Sequence, residues 1–277
     1  MPEKNTRADF VIAAHITDLH LRTDHGLYNG THDTSQPIAA CIDHLRSMQP
    51  QPDFILASGD LADEPRVSDY TELRRVLDQL DVPVYVIPGN HDDRDMLRDA
   101  FADLGYLPTE GKYLNYTIED YPLRVIGLDN TGDDPHRGEF CASRLAWLDD
   151  RLSEQPDRPT ILFMHFQPLL TRMGYRDRNA MDGANEMDAV LRRHPQVELI
   201  ACGHLHRSIQ MRWGGTLVSV APSAVVQRTL SLDNSLPQAY VDEPPGMAVY
   251  VWHPDTGPVC HTSLIGDFGA PYPLELD

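Results

Sequence analysis

The sequence predicts an α/β fold of two mixed sheets flanked by helices, and three observations carry that reading. Early in the chain, short apolar runs alternate with amphipathic stretches in the order β-α-β-α-β, joined by short links. Further apolar runs after residue 112 supply strands for a second sheet. Three of the runs also stop in the same way, at a glycine followed by polar side chains. They are Ile55-Leu56-Ala57-Ser58-Gly59-Asp60, Val84-Tyr85-Val86-Ile87-Pro88-Gly89-Asn90-His91-Asp92 and Leu199-Ile200-Ala201-Cys202-Gly203-His204-Leu205-His206. A glycine allows a tight turn with no β-carbon in the way, so the next side chain can be aimed into a cleft. Open α/β folds build their sites where strands end. The three junctions are therefore expected to converge at one edge of a sheet.

In chain order, Phe10 to Thr17 reads as a first buried strand, with His15 inside it as a hydrogen-bonded core histidine. Asp18-Leu19-His20 follows; in an extended segment residues two apart point the same way, so both side chains can reach one ion. Residues 21–34 form a polar, glycine-bearing loop suited to wall a pocket or to face solvent. Thr34 or Ser35 is expected to cap a helix carrying Ile38, Ile42, Leu45 and Met48, which Pro50 and Pro52 end. After the strand that leads to Asp60, the spacing of Tyr70, Leu73, Val76, Leu77 and Leu80 predicts a second helix. Buried parallel strands joined by such crossover helices are the expected core.

Beyond the Asn90 junction a short helix is predicted from Asp93 to Leu104, then two strands over Tyr113–Ile118 and Leu123–Asp129. Leu145, Leu148 and Leu152 mark another helix, and Thr160 to His165 is a strand ending in a histidine. Residues 171–185 read as a loop and Met187 to His194 as a helix. The remaining strands, Ile209–Trp213, Thr216–Ala221, Met247–Trp252 and Val259–Leu264, read as antiparallel, around a Pro/Asp/Ser-rich insert at residues 229–246.

Composition narrows the function classes. The 277 residues suffice for one large α/β domain, or one domain with a small appendage. With 42 acidic against 23 basic residues, the formal net charge is -19, which would repel nucleic-acid phosphates at every approach. No apolar run approaches the roughly 20 residues that span a bilayer, and residues 1–9 carry no apolar signal core. Cys41, Cys141, Cys202 and Cys260 form no Cys-x-x-Cys and are read as free thiols filling the core of a cytoplasmic protein.

Collected, the polar residues at strand ends are Asp18, His20, Asp60, Asn90, His165, His204 and His206. Imidazole nitrogens with carboxylate and amide oxygens suit Zn, Mn, Fe or Co, and are too rich in nitrogen for a Ca or Mg cage. Seven ligands exceed what one ion with open positions would use, so two divalent transition metal ions sharing one carboxylate fit better.

These residues resemble a known family. Asp18-x-His20, Gly59-Asp60, Gly89-Asn90-His91-Asp92, His165 and Gly203-His204-x-His206 are similar to the five ordered signatures of the calcineurin-like metallophosphoesterases, across residues 10–206. Within that superfamily the strings His15-Ile-Thr-Asp-Leu-His20, Gly59-Asp-Leu-Ala-Asp63 and Gly89-Asn-His-Asp-Asp93 look most like the class III cyclic nucleotide phosphodiesterases and the bacterial glycerophosphodiesterases. The architecture expected is a four-layer α/β/β/α sandwich. Residues 1–208 would form its core, and residues 209–277 would complete it and add a small C-terminal β cap or oligomerisation element.

The resemblance implies that Asp18, His20, Asp60 and His206 bind one metal and that Asp60, Asn90, His165 and His204 bind the other, with Asp60 bridging. It implies in-line attack on a phosphodiester by a metal-bridging hydroxide. Asn90 and His91 would contact the substrate, and His91 would protonate the leaving alkoxide. Protein phosphatases of the superfamily carry arginines beside these motifs. Here Leu61 and Ala62 follow Asp60, and Asp92 follows His91, so a monoanionic diester is the better electrostatic match. Cyclic nucleotides and glycerophosphodiesters are the small-molecule candidates. The glycerophosphodiesterases are expected to add a histidine after residue 216, and the run from Pro222 to Gln227 has none. A phosphomonoesterase, a non-catalytic metal-bound scaffold and a nuclease are the alternatives; all ligands and His91 are present, which argues against the scaffold.

Other residues stay outside the site by their sequence context. His25, His32, His44, His136, His194, His253 and His261 read as surface or core histidines. Asp63, Asp92 and Asp93 are either supports for the site or helix caps. Tyr28, Trp213 and Tyr240 either line a pocket or belong to the core.

Overall fold

The computed structural model describes residues 10–173, 181–233, 235, 237–270 and 272. Residues 1–9, and residues 174–180 of the predicted loop at 171–185, lie outside them. One sheet is built from β1 (Val11–Ile16), β2 (Phe54–Ala57), β3 (Val84–Val86), β12 (Gly246–His253) and β13 (Gly257–Leu264). Its strand order is β13-β12-β1-β2-β3, parallel from β1 to β3 and antiparallel at β12 and β13. The other is built from β4 (Tyr116–Ile118), β5 (Arg124–Leu128), β6 (Thr160–Met164), β7 (Val197–Cys202), β8 (Ile209–Trp213) and β9 (Thr216–Val220). Its order is β4-β5-β6-β7-β9-β8, with β5, β6, β7 and β9 parallel. The strands β1, β2, β3, β5 and β6 are buried along their whole length, as strands covered on both faces must be.

Helices α1 (Ser35–Ser47), α2 (Val67–Leu77) and α3 (Arg94–Ala100) accompany the first sheet; α4 (Ala142–Glu154) and α5 (Ala184–Leu191) accompany the second. Each longer helix buries one stripe, as Ile38, Cys41, Ile42 and Leu45 do in α1. The start of α1 differs from expectation. Neither Thr34 nor Ser35 caps it; Asp33 Oδ1 accepts from the Ser35 amide at 2.9 Å instead. Helix α5 begins at Ala184, ahead of the expected Met187.

The two sheets pack face to face. Tyr116 Oη on β4 donates to the Val86 carbonyl on β3 at 2.7 Å, and Trp252 Nε1 on β12 donates to Glu198 Oε2 on β7 at 2.6 Å. Tyr250 Oη on β12 reaches Ser219 Oγ on β9 at 3.3 Å. Buried Tyr and Trp side chains need such partners for their polar tips.

The strands after residue 208 are not one antiparallel set. β9 runs parallel to β7 in the second sheet, whereas β12 crosses to the first and pairs antiparallel with β1, covering an edge that would otherwise expose unpaired backbone. Between them β10 (Gln227–Arg228) and β11 (Tyr240–Val241) form a separate antiparallel ribbon, the cap. Consequently the junctions do not share one sheet edge. Asp60 and Asn90 come from the first sheet, and His165, His204 and His206 from the second, where the C-terminal ends of the two meet. Among the described residues, no helix is long and apolar enough to cross a membrane.

Candidate metal centre

Five of the seven predicted ligands sit just past a strand end in left-handed backbone: Asp18 (φ 55°), His20 (φ 45°), Asp60 (φ 50°), His204 (φ 69°) and His206 (φ 51°). For a non-glycine residue this costs on the order of 1–3 kcal/mol and persists only where the surroundings enforce it. The enforcement is visible: the amides of Asp18 and His20 bond the carbonyls of Gly59 and Asp60 at 3.0 and 2.9 Å, tying the β1 and β2 junctions together. Gly59 is itself at φ 92°, and a β-carbon there would lie 2.5 Å from the Gly89 nitrogen and 2.8 Å from His165 Nδ1. Only glycine lets the β2 and β3 turns approach so closely.

The seven side chains form two clusters. In one, His206 Nε2 lies 3.1 Å from Asp18 Oδ1 and 3.2 Å from His20 Nε2. In the other, Asn90 Oδ1 lies 3.1 Å from both His165 Nε2 and His204 Nδ1. Asp60 Oδ2 stands between them, 3.8 Å from His20 Nε2 and 3.3 Å from His165 Nε2, while its Oδ1 accepts from the His91 amide at 2.9 Å. Of the seven candidate ligands, all except Asn90 are buried.

Divalent cations fit this donor set. The Nδ1 atoms of His165 and His206 donate to the carbonyls of Ser58 and Val226, both at 2.8 Å. In the neutral tautomer, each Nε2 is then a lone pair turned toward a carboxylate oxygen. Lone pair facing lone pair is repulsive unless a cation or a proton lies between. Asp18 Oδ1, fully buried, has no hydrogen-bond partner. Without a metal, protons take up part of that role. Burial lowers the His165 pKa, but the Asp60 carboxylate outweighs it and brings it to about 9. At His206 burial wins over Asp18, and the value falls to about 4.

His91 stands at the mouth, its side chain 35% exposed. Its Nδ1 lies 2.9 Å from the Asp63 carbonyl and 3.1 Å from Asp63 Oδ1, which leaves Nε2 for a ligand. Burial works against its charged form, yet the bond to Asp63 and the field of Asp60 raise its pKa to about 9; bound cations would oppose that rise.

Residues left undecided by the sequence now separate. Asp63 touches His91, approaches His20 Nδ1 at 3.5 Å and is held by Arg22 Nη1 at 2.7 Å. Asp92 accepts from the amides of Gly89, Leu61 and Ala62 at 2.8, 3.1 and 3.0 Å, locking the β2 and β3 turns together. Asp93 is the cap of α3, accepting from the Asp95 and Met96 amides. His15 is a core histidine bonded to Tyr250 Oη and Ser58 Oγ, and burial takes its pKa down to about 3. Tyr28 is a wall of the site, stacked on the His20 ring at 3.9 Å and bonded to Tyr240 Oη at 2.7 Å. Trp213 instead sits at the β8–β9 turn. All four cysteines are free; Cys41 and Cys202 are buried in the core, Cys260 is partly buried and packs against it, and Cys141 is only partly buried.

Sequence reasoning passed over Asn130. Its Oδ1 accepts from the amides of His165 and Phe166, both at 3.1 Å, and its Nδ2 donates to the Phe166 carbonyl at 2.9 Å. The available signal was a polar residue just past the β5 run, a junction like the others but without a glycine.

Two sheets packed face to face, with paired His/Asp/Asn clusters sharing one aspartate where their strands end, define a dinuclear metallohydrolase architecture. A family model of calcineurin-like phosphoesterases matches residues 13–208, and the chain belongs to that family, whose members use a dinuclear metal centre. It is 33% identical over 265 residues to a probable glycerophosphodiester phosphodiesterase GpdQ of Arcobacter nitrofigilis, covering 95% of this chain and 97% of the relative. It is 30% identical to the 3',5'-cyclic adenosine monophosphate phosphodiesterase CpdA of Escherichia coli K12, over 76% of this chain and 75% of the relative. The fold is shared with the purple acid phosphatase PPD1 of yellow lupin, at a TM-score of 0.68 and 13% identity over 95% of this chain and 52% of that one. A dimetal phosphatase of Danio rerio aligns at 0.58 and 14%, over 93% and 100%.

Proposed function

We propose that this chain is a metal-dependent phosphodiester hydrolase that cleaves small diesters, in the class of cyclic nucleotides and glycerophosphodiesters. The observation that carries the reading is Asp60 Oδ2 placed between two ligand clusters, with His91 half-open at their edge. Asp18, His20 and His206 would hold one ion, Asn90, His165 and His204 the other, and Asp60 both. Such ions, of Zn, Mn, Fe or Co character by the donor set, activate water and neutralise phosphoryl charge.

The chain's own groups do the rest. Asp63 accepts from Nδ1 of His91, so it is the imidazolium form whose Nε2 carries a second proton, which hydrogen-bonds a phosphoryl oxygen and passes to the departing alkoxide as the P–O bond breaks. Asn130 and the Ser58 carbonyl hold His165 in register. Tyr28 covers the His20 face and excludes water there. Leu61 and Ala62 are fully buried and present no charge beside the phosphoryl group, which favours a monoanionic diester over a dianionic monoester. Relatives named for both diester classes support this reading, and the missing histidine in the run from Pro222 to Gln227 does not separate the chain from those named GpdQ. A cytoplasmic location and a small-molecule substrate in place of nucleic acid belong to the same reading, as does self-association through the strands after residue 208.

The test is hydrolysis of bis(p-nitrophenyl) phosphate against p-nitrophenyl phosphate with added manganese, then with chelator. Chelator-sensitive turnover that favours the diester is expected. Preference for the monoester would point to a phosphomonoesterase, and no activity on either to a scaffold. His91→Ala should cut kcat by roughly 10²–10⁴-fold with both metals retained by elemental analysis; full activity would remove His91 from the reaction.

A further inference from the structure

Among the described residues three arginines are almost wholly buried: Arg124, Arg144 and Arg228, at 2%, 1% and 6% exposure. The first two are paired as buried charges require. Arg124 bonds Glu119 Oε1 at 2.7 Å and Glu154 Oε2 at 3.0 Å. Arg144 meets Glu139 Oε1 at 3.1 Å and donates to the carbonyls of Asp129 and Thr131. Arg228 differs. No carboxylate of the described residues pairs with it and its Nη1 has only Gln238 Oε1 at 3.5 Å; its buried Nε has no hydrogen-bond partner, which is true of Arg144 Nε as well. In a chain with 42 acidic residues, a guanidinium without a counter-ion is not explained by scarcity.

Its position supplies a reason. Arg228 lies on β10, whose backbone meets the metal cluster directly: the Arg228 amide bonds the His206 carbonyl at 3.3 Å. The guanidinium stands 5.6 Å from the centre of the Tyr240 ring. That ring is 5.4 Å from Tyr28 and 6.0 Å from His206. The charge of Arg228 is felt at both Tyr28 and His206. Through the Tyr240 ring it therefore adjoins the Tyr28 and His206 side of the Asp18–His20–His206 cluster.

We propose that Arg228 recognises a second anionic group, a carboxylate or a phosphate, on a substituent of the diester. This rests on the phosphodiesterase reading and narrows it to substrates bearing a charge beyond the scissile phosphate. A planar guanidinium matches either group with paired hydrogen bonds. A buried donor that is satisfied only by the right ligand rejects analogues lacking that group. The substrate anion supplies the counter-charge that the protein withholds.

The experiment uses the full metal-loaded chain and three p-nitrophenyl diesters, whose second ester group is ethyl, 2-carboxyethyl or 2-phosphoethyl. The wild type should show KM for one or both charged diesters at least about tenfold below that for the ethyl diester; the better of the two names the anion. Arg228→Met should erase that ratio and Arg228→Lys restore part of it, at unchanged metal content. A ratio that survives Arg228→Met, or a wild type without the preference, overturns the proposal while leaving the phosphodiesterase reading intact. Hydrolysis of none of the three overturns that reading itself, and the proposal with it. If Arg228→Met does not fold, calorimetry on the wild type decides: phosphonoacetate should bind at least about tenfold more tightly than methylphosphonate, and equal affinity rules the proposal out.

Discussion

The two halves of the candidate metal site are built differently. The half around Asn90, His165 and His204 rests on regular structure: its ligands leave β3, β6 and β7, and its supports are the Ser58 carbonyl and Asn130, themselves at strand ends. The half around Asp18, His20 and His206 leans on irregular segments. His20 is covered by Tyr28 from residues 21–34, and His206 Nδ1 is held by the Val226 carbonyl at the root of the cap. The first arrangement uses the rigidity of the sheets to fix geometry. The second brings loop and ribbon segments against the candidate metal ligands, and loops are where binding residues are most often carried.

Asp60 joins the halves, so Asp60→Asn should have the largest effect. Elemental analysis should show both ions lost or sharply depleted, with activity down by at least about 10³-fold; two tightly held ions in that variant would break the bridging assignment. Next come His165→Ala and His206→Ala compared. Each should weaken one ion about 10–100-fold or more, and competition with a chelator should show the halves emptying separately. Simultaneous emptying in both variants would mean that the site behaves as one unit.

A smaller effect separates the halves by pH in the metal-free protein. Histidines whose folded pKa is raised, His165 and His91 at about 9, stabilise the fold fully below the unfolded value of 6.5; that contribution is lost as pH climbs through about 9. His206 and His15, lowered to about 4 and 3, act oppositely: they cost stability as pH falls from 6.5 through those values. Thermal melting of chelated protein should therefore peak near pH 6.5 and fall on both sides. Replacing His165 by Asn should flatten the alkaline limb and leave the acidic one. Smallest of all, Tyr28→Phe removes the bond to Tyr240 at a cost of about 1 kcal/mol, a drop in Tm of about 2 °C. A shift several times larger would make the tyrosine pair a main support of the cap.

All seven candidate ligands and His91 were legible because each lies just past an apolar run, and at Asp60, Asn90, His91, His204 and His206 a glycine stands between the run and the side chain. The supports were not. Asp63 and Asp92 were visible as carboxylates, but a carboxylate that caps a helix and one that locks two turns have the same local sequence. Asn130 lies 35 residues from the histidine it positions, and Arg228 is an ordinary arginine until its lack of a partner is seen.

By itself, the sequence determined the alternation of strands and helices, the class of ligand chemistry and the order of the candidate metal residues, since these depend on neighbours along the chain. Only the tertiary structure decided that two sheets, and not one, deliver the ligands, that β9 and β12 part company into different sheets, and which buried charges lack a counterpart. Those are matters of distance between residues far apart in the chain, and burial and pairing exist only once the chain has closed on itself.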